Sequence, residues 1–264
     1  MEQNVRLEEL PAPELPAPPR MKYSDALSAY QIAVAMRGNR DALQKRALQG
    51  WSVSEEWGSG LRGMALNGAN MLVVFHDAYH ESNPGTLQGK ADPQRRFVVF
   101  AMRAKNDTSG EVGFTSFAGF SSDPGALPGN YKDQKLAKTA VRKLILQSDH
   151  TGTMVSESFE FSTDDGSIHL EVDYRRGASR WEYNSTFSPQ AAVFRASLDP
   201  SIRRRYWEDL VGYLVVSRPL KLDLSSKLHL DVMIPALADV MEGAQIVSLV
   251  VRPAYTRRVF IDAE

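Results

Sequence analysis

Six consecutive residues, His76-Asp77-Ala78-Tyr79-His80-Glu81, hold the densest set of metal-binding and proton-handling side chains in the chain. They follow an apolar run, Met71-Leu72-Val73-Val74-Phe75. If the segment turned helical, His76 and His80 would lie one turn apart on one face. With Glu81, Asp77 or a carboxylate from elsewhere, they could then hold a divalent zinc, iron or manganese ion. If it stayed extended, the two histidines would share one face of a strand, with Ala78 between them. The spacing is not HExxH, since Glu81 lies outside the histidine pair, and it is not His-x-Asp/Glu. The plainer alternative is a strand that ends in a polar loop, with Asp77 and Asn83-Pro84-Gly85 making the turn.

A second constellation lies on a hairpin. Val155, Phe159 and Phe161 alternate with Ser156, Ser158, Glu160 and Ser162. Asp164-Asp165-Gly166 reverses the chain, and Ile168, Leu170, Val172 and Tyr174 then alternate with His169, Glu171 and Asp173. Two period-2 runs around an Asp-Gly define a hairpin. If its polar face lines the inside of a barrel or cone, Glu160, His169, Glu171 and Asp173 are candidates for acid–base catalysis. If that face meets water, the same alternation results. Arg175, Arg176 and Arg258 are candidates to hold an anionic ligand through bidentate contacts. The cluster Arg203-Arg204-Arg205-Tyr206-Trp207 could bind phosphate or stack on bases, but Glu208 and Asp209 follow within a turn and make local ion pairs the simpler account.

The elements that would position these groups are mostly short strands. Segments 97–104, 112–118, 179–187, 211–217, 227–234, 245–251 and 256–261 read as strands beside the hairpin. Residues 23–49 read as helix, capped by Ser24 with an apolar stripe of Ala26, Leu27, Tyr30, Ala33 and Val34, broken at Gly38-Asn39 and resumed from about Asp41 to Gln49. Further helices are expected from Asn130 to about Gln147, from Asp199-Pro200 to about Leu210, and briefly after Pro235. The Asn130 helix would set Leu136, Ala140 and Leu144 beside Ala137, Val141 and Ile145, with Lys132, Lys135, Lys138, Arg142 and Lys143 solvating the remainder. This pattern predicts an α+β, mainly antiparallel β architecture (barrel, cone or sandwich) with a few peripheral helices. It lacks the strand–helix alternation of a doubly wound sheet.

Residues 1–20 read as a separate tail. Leu10-Pro11-Ala12-Pro13 recurs as Leu15-Pro16-Ala17-Pro18, which favours an extended, solvated polyproline conformation or a docking peptide for a protein partner. Residues 21–264 are expected to form a single β-rich domain. The 264 residues carry 31 basic and 32 acidic side chains, a net charge of -1, which argues against a general nucleic-acid binder. The absence of cysteine excludes disulfides, thiolate metal sites and cysteine nucleophiles and fits a cytoplasmic setting. No apolar run approaches the ~20 residues of a membrane helix. There is no Gly-x-Ser-x-Gly elbow and no phosphate-cradling glycine loop.

Pro235-Ala236-Leu237-Ala238-Asp239-Val240, Ile246-Val247-Ser248-Leu249-Val250-Val251, Pro253 and Arg258-Val259-Phe260 resemble the C-terminal part of acetoacetate decarboxylase-like proteins. The resemblance spans roughly residues 211–262. It implies a β-cone with a central ligand cavity, and a Schiff-base lysine activated by an adjacent lysine. The chain has no adjacent lysine pair, and Tyr131-Lys132-Asp133-Gln134-Lys135 stands where the motif is expected. The resulting expectation is a small-molecule-binding protein for a small organic, anionic ligand, either a biosynthetic accessory protein or an enzyme. A decarboxylase-like lyase, a metal-dependent enzyme built on His76 and His80, and a non-catalytic interaction module are the alternatives.

Overall fold

Apolar residues that fall on both faces of an extended run, rather than on one helical stripe, decide most of this chain. The computed structural model describes residues 21–57, 66–82, 95–123, 134–150, 152–176, 181–184, 190–195, 203–216 and 227–262. The proline-rich tail and the Asp199-Pro200 segment lie outside them. The first long element is a strand, β1 (Met21–Arg37), and not the expected helix. Ile32, Ala33, Val34, Ala35 and Met36 are all buried, so both faces of the segment need cover, and a central strand supplies it. Tyr30 and Val34 are spaced by four, an even number, so they share a strand face as readily as a helix face.

The same ambiguity explains a second correction. The expected Asn130 helix is replaced by two strands, β6 (Lys135–Leu136) and β7 (Thr139–Asp149). The third expected helix is replaced by β12 (Arg203–Val216), whose Tyr206, Trp207, Val211, Tyr213, Val215 and Val216 are strand formers. A short helix does form at α1 (Arg40–Gln44), capped by Asn39, whose Oδ1 accepts from the backbone of Asp41 and Ala42. A 3₁₀ turn (Pro235–Leu237) running into α2 (Ala238–Met241) matches the expectation at Pro235. Arg46 ties these two helical pieces together through both carboxylate oxygens of Asp239, at 2.9 and 2.8 Å.

The remaining strands are β2 (Trp51–Val53), β3 (Met71–Ser82), β4 (Arg95–Asn106), β5 (Val112–Ser121), β8 (Gly152–Thr163), β9 (Gly166–Arg176), β10 (Trp181–Asn184), β11 (Gln190–Arg195), β13 (Leu228–Met233) and β14 (Gln245–Asp262). They form two sheets among the described residues. The large sheet runs β10-β12-β14-β1-β3-β4-β5-β6, with β11 added to β12 and β2 to β4. The small sheet runs β13-β9-β8-β7. All pairings are antiparallel except β5 with β6. The hairpin expected at Asp165-Gly166 is β8–β9, in register from Thr163–Gly166 to Thr153–Arg176.

The small sheet packs on one face of the large one. Phe159 and Phe161 of β8 and Ile168, Leu170 and Val172 of β9 meet Ile32, Val34, Val73, Phe75, Val98, Phe100 and Leu249. The other face of the large sheet is buried as well, at Ala33, Ala35, Val74, Phe97, Val99 and Val250. Strand β11, paired to β12, also lies against β5 near the opposite end of the path, so the large sheet curls back on itself. A curl of about eight strands has room inside only for its own side chains or a small ligand. The four-stranded sheet must therefore sit outside, and the alanine-rich face is the inside.

Gly166 holds the hairpin turn with φ of 145°, and a Cβ there would fall 1.8 Å from the Met233 carbonyl oxygen. Gly166→Ala is expected to destabilise the fold by more than ~1 kcal/mol, read as a lowered urea midpoint. Gly243→Ala, also at positive φ but with open space around it, should cost less.

Candidate functional site

Alternation along β3 separates chemistry that the sequence sets side by side. His76 and Asp77 are both buried, yet they face opposite sides of the large sheet. Asp77 belongs to a cross-strand row, Tyr30–Asp77–Arg96, that faces the small sheet. There Arg142 of β7 donates to Asp77 at 2.9 Å and, through Nε, to Glu157 of β8. Arg96 lies 3.3 Å from the other Asp77 oxygen. The Tyr30 hydroxyl donates to Glu157 and sits 3.3 Å from that of Tyr174. The Arg142 guanidinium lies 3.8 Å from the centre of the Tyr30 ring, a cation–π contact. Two arginines and two carboxylates balance in charge. Burial by itself would lower the Arg142 pKa, but Glu157 and Asp77 raise it above the ordinary arginine value. Burial and Glu157 together hold the Tyr30 phenol protonated well beyond its usual range. These groups pair in charge and clamp the two sheets together, with Asp77 Oδ1 and Arg96 Nε in ion-pair contact rather than hydrogen-bonded.

The interior face is organised differently. Its side chains form successive rows across β14, β1, β3, β4 and β5. The first row is Arg252–Gln31–His76–Phe97–Ser121. The second, Val250–Ala33–Val74–Val99–Gly119, is short and apolar. The third, Ser248–Ala35–Leu72–Ala101–Ser116, is small with a hydroxyl at each end. Beyond it Arg103 stacks on Trp57 at 4.5 Å and over Phe114 at 5.5 Å, which closes that end of the interior. Partial burial pulls the Arg103 pKa down to about 10, partly offset by Glu56.

The polar row is ordered by a relay. Arg252 donates to Gln31 Oε1, which turns the Gln31 amide nitrogen toward His76 Nε2 at 3.4 Å. An amide nitrogen only donates, so His76 Nε2 accepts, and the ring proton belongs on Nδ1. The imidazole stacks on Phe97 at 4.2 Å. Over the second row lies Gln134, just before β6. A Cβ at Gly119 would come within 2.8 Å of its side chain, so only glycine lets Gln134 lie flat across the sheet. Both polar atoms of the Gln134 amide are buried without a hydrogen-bond partner among the described residues, as are Ser116 Oγ and Ser248 Oγ. Native interiors seldom leave such groups unpaired, and a bound molecule is one way to satisfy them.

The other residues singled out in the sequence fall elsewhere. Glu160, His169, Glu171 and Asp173 lie on the outer face of the small sheet, because Phe159, Phe161, Ile168, Leu170 and Val172 take the core side. Glu160 and His169 are 46% and 34% exposed at a separation of 3.9 Å, so this set does not line the interior. No three His, Asp or Glu are grouped for a metal ion among the described residues. The side chains of His80 and Glu81, and those of Arg175, Arg176 and Arg258, lie outside the described residues. Along the backbone, a register shift puts Tyr79 between the pairs Ala29–Ala78 and Ser28–His80. Gln31, Gln134 and Arg252 carry no motif. Their available signal is a polar residue that interrupts or ends an apolar strand.

Several solved structures similar in fold to this chain are of enzymes. The enduracididine biosynthesis enzyme MppR, complexed with pyruvate, matches with a TM-score of 0.55 over 95% of this chain and 90% of its own, at 11% identity. MppR complexed with the condensation product of pyruvate and imidazole 4-carboxaldehyde gives the same TM-score and identity over 94% and 89%. An acetoacetate decarboxylase-like enzyme from Sphingomonas wittichii RW1 matches at 0.55 over 91% and 92%, at 12% identity. The likeness is one of fold, and it spans most of the chain rather than residues 211–262 alone. No protein-family model and no curated protein sequence matches this chain. Among the described residues no helix is long and apolar enough to cross a membrane.

Two outcomes test the clamp. Arg142→Met should cost about 3–5 kcal/mol in denaturant unfolding, because it strands buried carboxylates, and Arg142→Met with Glu157→Gln should recover part of the loss. The Tyr30 phenol keeps its proton in the folded state above pH ~10, where an unfolded tyrosine releases it. Its contribution is therefore complete below pH ~10 and lost as pH rises further. Urea midpoints should fall less steeply between about pH 9 and 11 in Tyr30→Phe than in the parent.

Proposed function

We propose that the chain binds a small 2-oxo acid, of the size and charge of pyruvate, inside the curl of the large sheet and without forming a Schiff base. The observation that carries this reading is Gln134, whose buried amide points across Gly119 with no hydrogen-bond partner among the described residues. The amide offers two donors and an acceptor to a carbonyl or carboxylate. His76 and Gln31 supply further hydrogen-bonding groups on the adjoining row, and the buried Arg252 gives that end of the interior a positive charge suited to an anion. The short side chains of the second row leave the ligand its place. Pyruvate bound to MppR supports the choice of ligand class.

Schiff-base chemistry lacks its nucleophile at this position. An amide nitrogen gives its lone pair to the carbonyl and cannot condense with a ketone. Lys135, the neighbouring amine, is exposed and sits 2.9 Å from Asp165 at the hairpin turn. Polar contacts at one end, with an apolar wall at the other, fix a ligand's orientation and could polarise its carbonyl.

Calorimetry with pyruvate tests binding directly, with a saturable one-to-one isotherm expected for the parent. Borohydride treatment in the presence of pyruvate should leave the parent mass unchanged. Gln134→Lys should instead acquire the mass of a reduced pyruvate adduct, since a desolvated lysine beside the ligand is a nucleophile at neutral pH. Absence of binding to the parent, or an adduct on the parent itself, overturns the reading.

A further inference from the structure

We propose that two copies of this chain associate through strand β7, edge to edge and antiparallel, about a two-fold axis at Ile145. Strand β7 ends the small sheet, and among the described residues no strand pairs with its outer edge. An open edge is a template for another strand, and monomeric proteins usually protect it with charge, proline or brevity. This one is eleven residues long and carries an apolar centre. Leu144, Ile145 and Leu146 are 41%, 58% and 51% exposed, and Val141 and Leu136 beside them are exposed too. Most of the exposed large apolar residues among those described are thus gathered on β6 and β7.

The sequence of the edge selects the occupant, because it is self-complementary in one register. With Ile145 opposite its own counterpart, Leu144 of each copy faces Leu146 of the other on the same side of the sheet as Arg142. Ile145 meets Ile145 on the opposite side. Lys143 then lies diagonally across from Asp149 of the second copy, within reach of long side chains. A shift to centre the pairing on Lys143 would set two lysines face to face, which is unfavourable. The favoured register buries the apolar centre, joins opposite charges at both flanks, and pairs the backbone groups around that centre, while the Ala140 carbonyl nearer the strand's start already accepts from Arg96. It also continues the four-stranded sheet into its copy. The axis falls outside the interior rows, so each copy keeps its own ligand site.

The native chain tests this without interference, because it contains no cysteine. Light scattering on the purified full chain should give twice the 29.4 kDa of one copy. Ile145→Cys should cross-link to a covalent dimer with a short bis-maleimide. Thr139→Cys should not, since its two copies would stand ~40 Å apart in this register. Ile145→Lys, on a side chain that touches no ligand group, should halve the mass and leave the circular dichroism spectrum unchanged. A parent that is monomeric at micromolar concentration overturns the proposal. So does a dimer that links through Thr139→Cys but not Ile145→Cys, or one that survives Ile145→Lys.

Discussion

The structure depends on one buried guanidinium. Arg142 reaches from the edge of the small sheet to Asp77 on the large one and holds Glu157 on the way. Apolar contact alone would let two sheets slide, because hydrophobic attraction has no direction. Charge-assisted hydrogen bonds have fixed lengths and angles, so they set the registration of the sheets. Such a pair is weak evidence for net stability, since desolvation of four charged groups offsets most of their attraction. Its value lies in specificity. Only one placement of β7 and β8 over β1, β3 and β4 brings two arginines to two carboxylates with a tyrosine hydroxyl completing the set.

That registration reaches the interior through the pleat. Tyr30, Asp77 and Arg96 alternate along their strands with Gln31, His76 and Phe97. To fix the outer row is to fix the inner one, because consecutive residues of a strand cannot move independently. The relay from Arg252 through Gln31 to His76 thus stands on a floor that the clamp holds still. The two polar layers divide the labour. One is charge-balanced, with Asp77 Oδ1 and Arg96 Nε meeting as an ion pair at 3.3 Å rather than a hydrogen bond, and the other includes a neighbouring amide and hydroxyls without hydrogen-bond partners among the described residues. Buried polar groups cost free energy when left unpaired, and a bound molecule would relieve that cost.

The hairpin was legible because both signals agreed, period-2 alternation and an Asp-Gly turn. The helix at Pro235 was legible for a similar reason. Strands β1 and β7 were misread as helices because their apolar residues repeat at i and i+4, a spacing that both periods allow. What separates the two cases is the intervening residue. Leu144-Ile145-Leu146 and Ile32-Ala33-Val34-Ala35 are apolar at every position, which a one-sided surface helix is not. Of the site, His76 stands out in the sequence for a partnership with His80 that the register shift at Tyr79 complicates, and Gln134 appears there only within the stretch where the resemblance expects a lysine pair. Its partner Gln31 is 45 residues away, and Arg252 lies 221 residues from Gln31. Contacts closed over such distances leave no local pattern. The visible trace is a glutamine within Ala29-Tyr30-Gln31-Ile32-Ala33, where a polar residue in a doubly buried strand demands a reason.

An amide rather than an amine at position 134 has a consequence for the whole interior. A lysine there would need a second cation or strong desolvation to be neutral, and the site would have to be built around its charge. An amide needs neither. It asks only for a flat berth, which Gly119 provides, and for partners on both its oxygen and its nitrogen. A site with that polarity can hold and orient a carbonyl compound but cannot capture it covalently through position 134. The positive charge needed to attract an anion then has to come from elsewhere, and among the described residues of the polar row it comes from Arg252. On the proposed reading, anion recognition rests on β14 and β1, while the wall around Gln134 presents only hydrogen-bonding groups. On the proposed reading, an interior with that distribution binds and polarises a carbonyl compound, and the ligand leaves with the bonds it brought unless its own carbonyl does the chemistry.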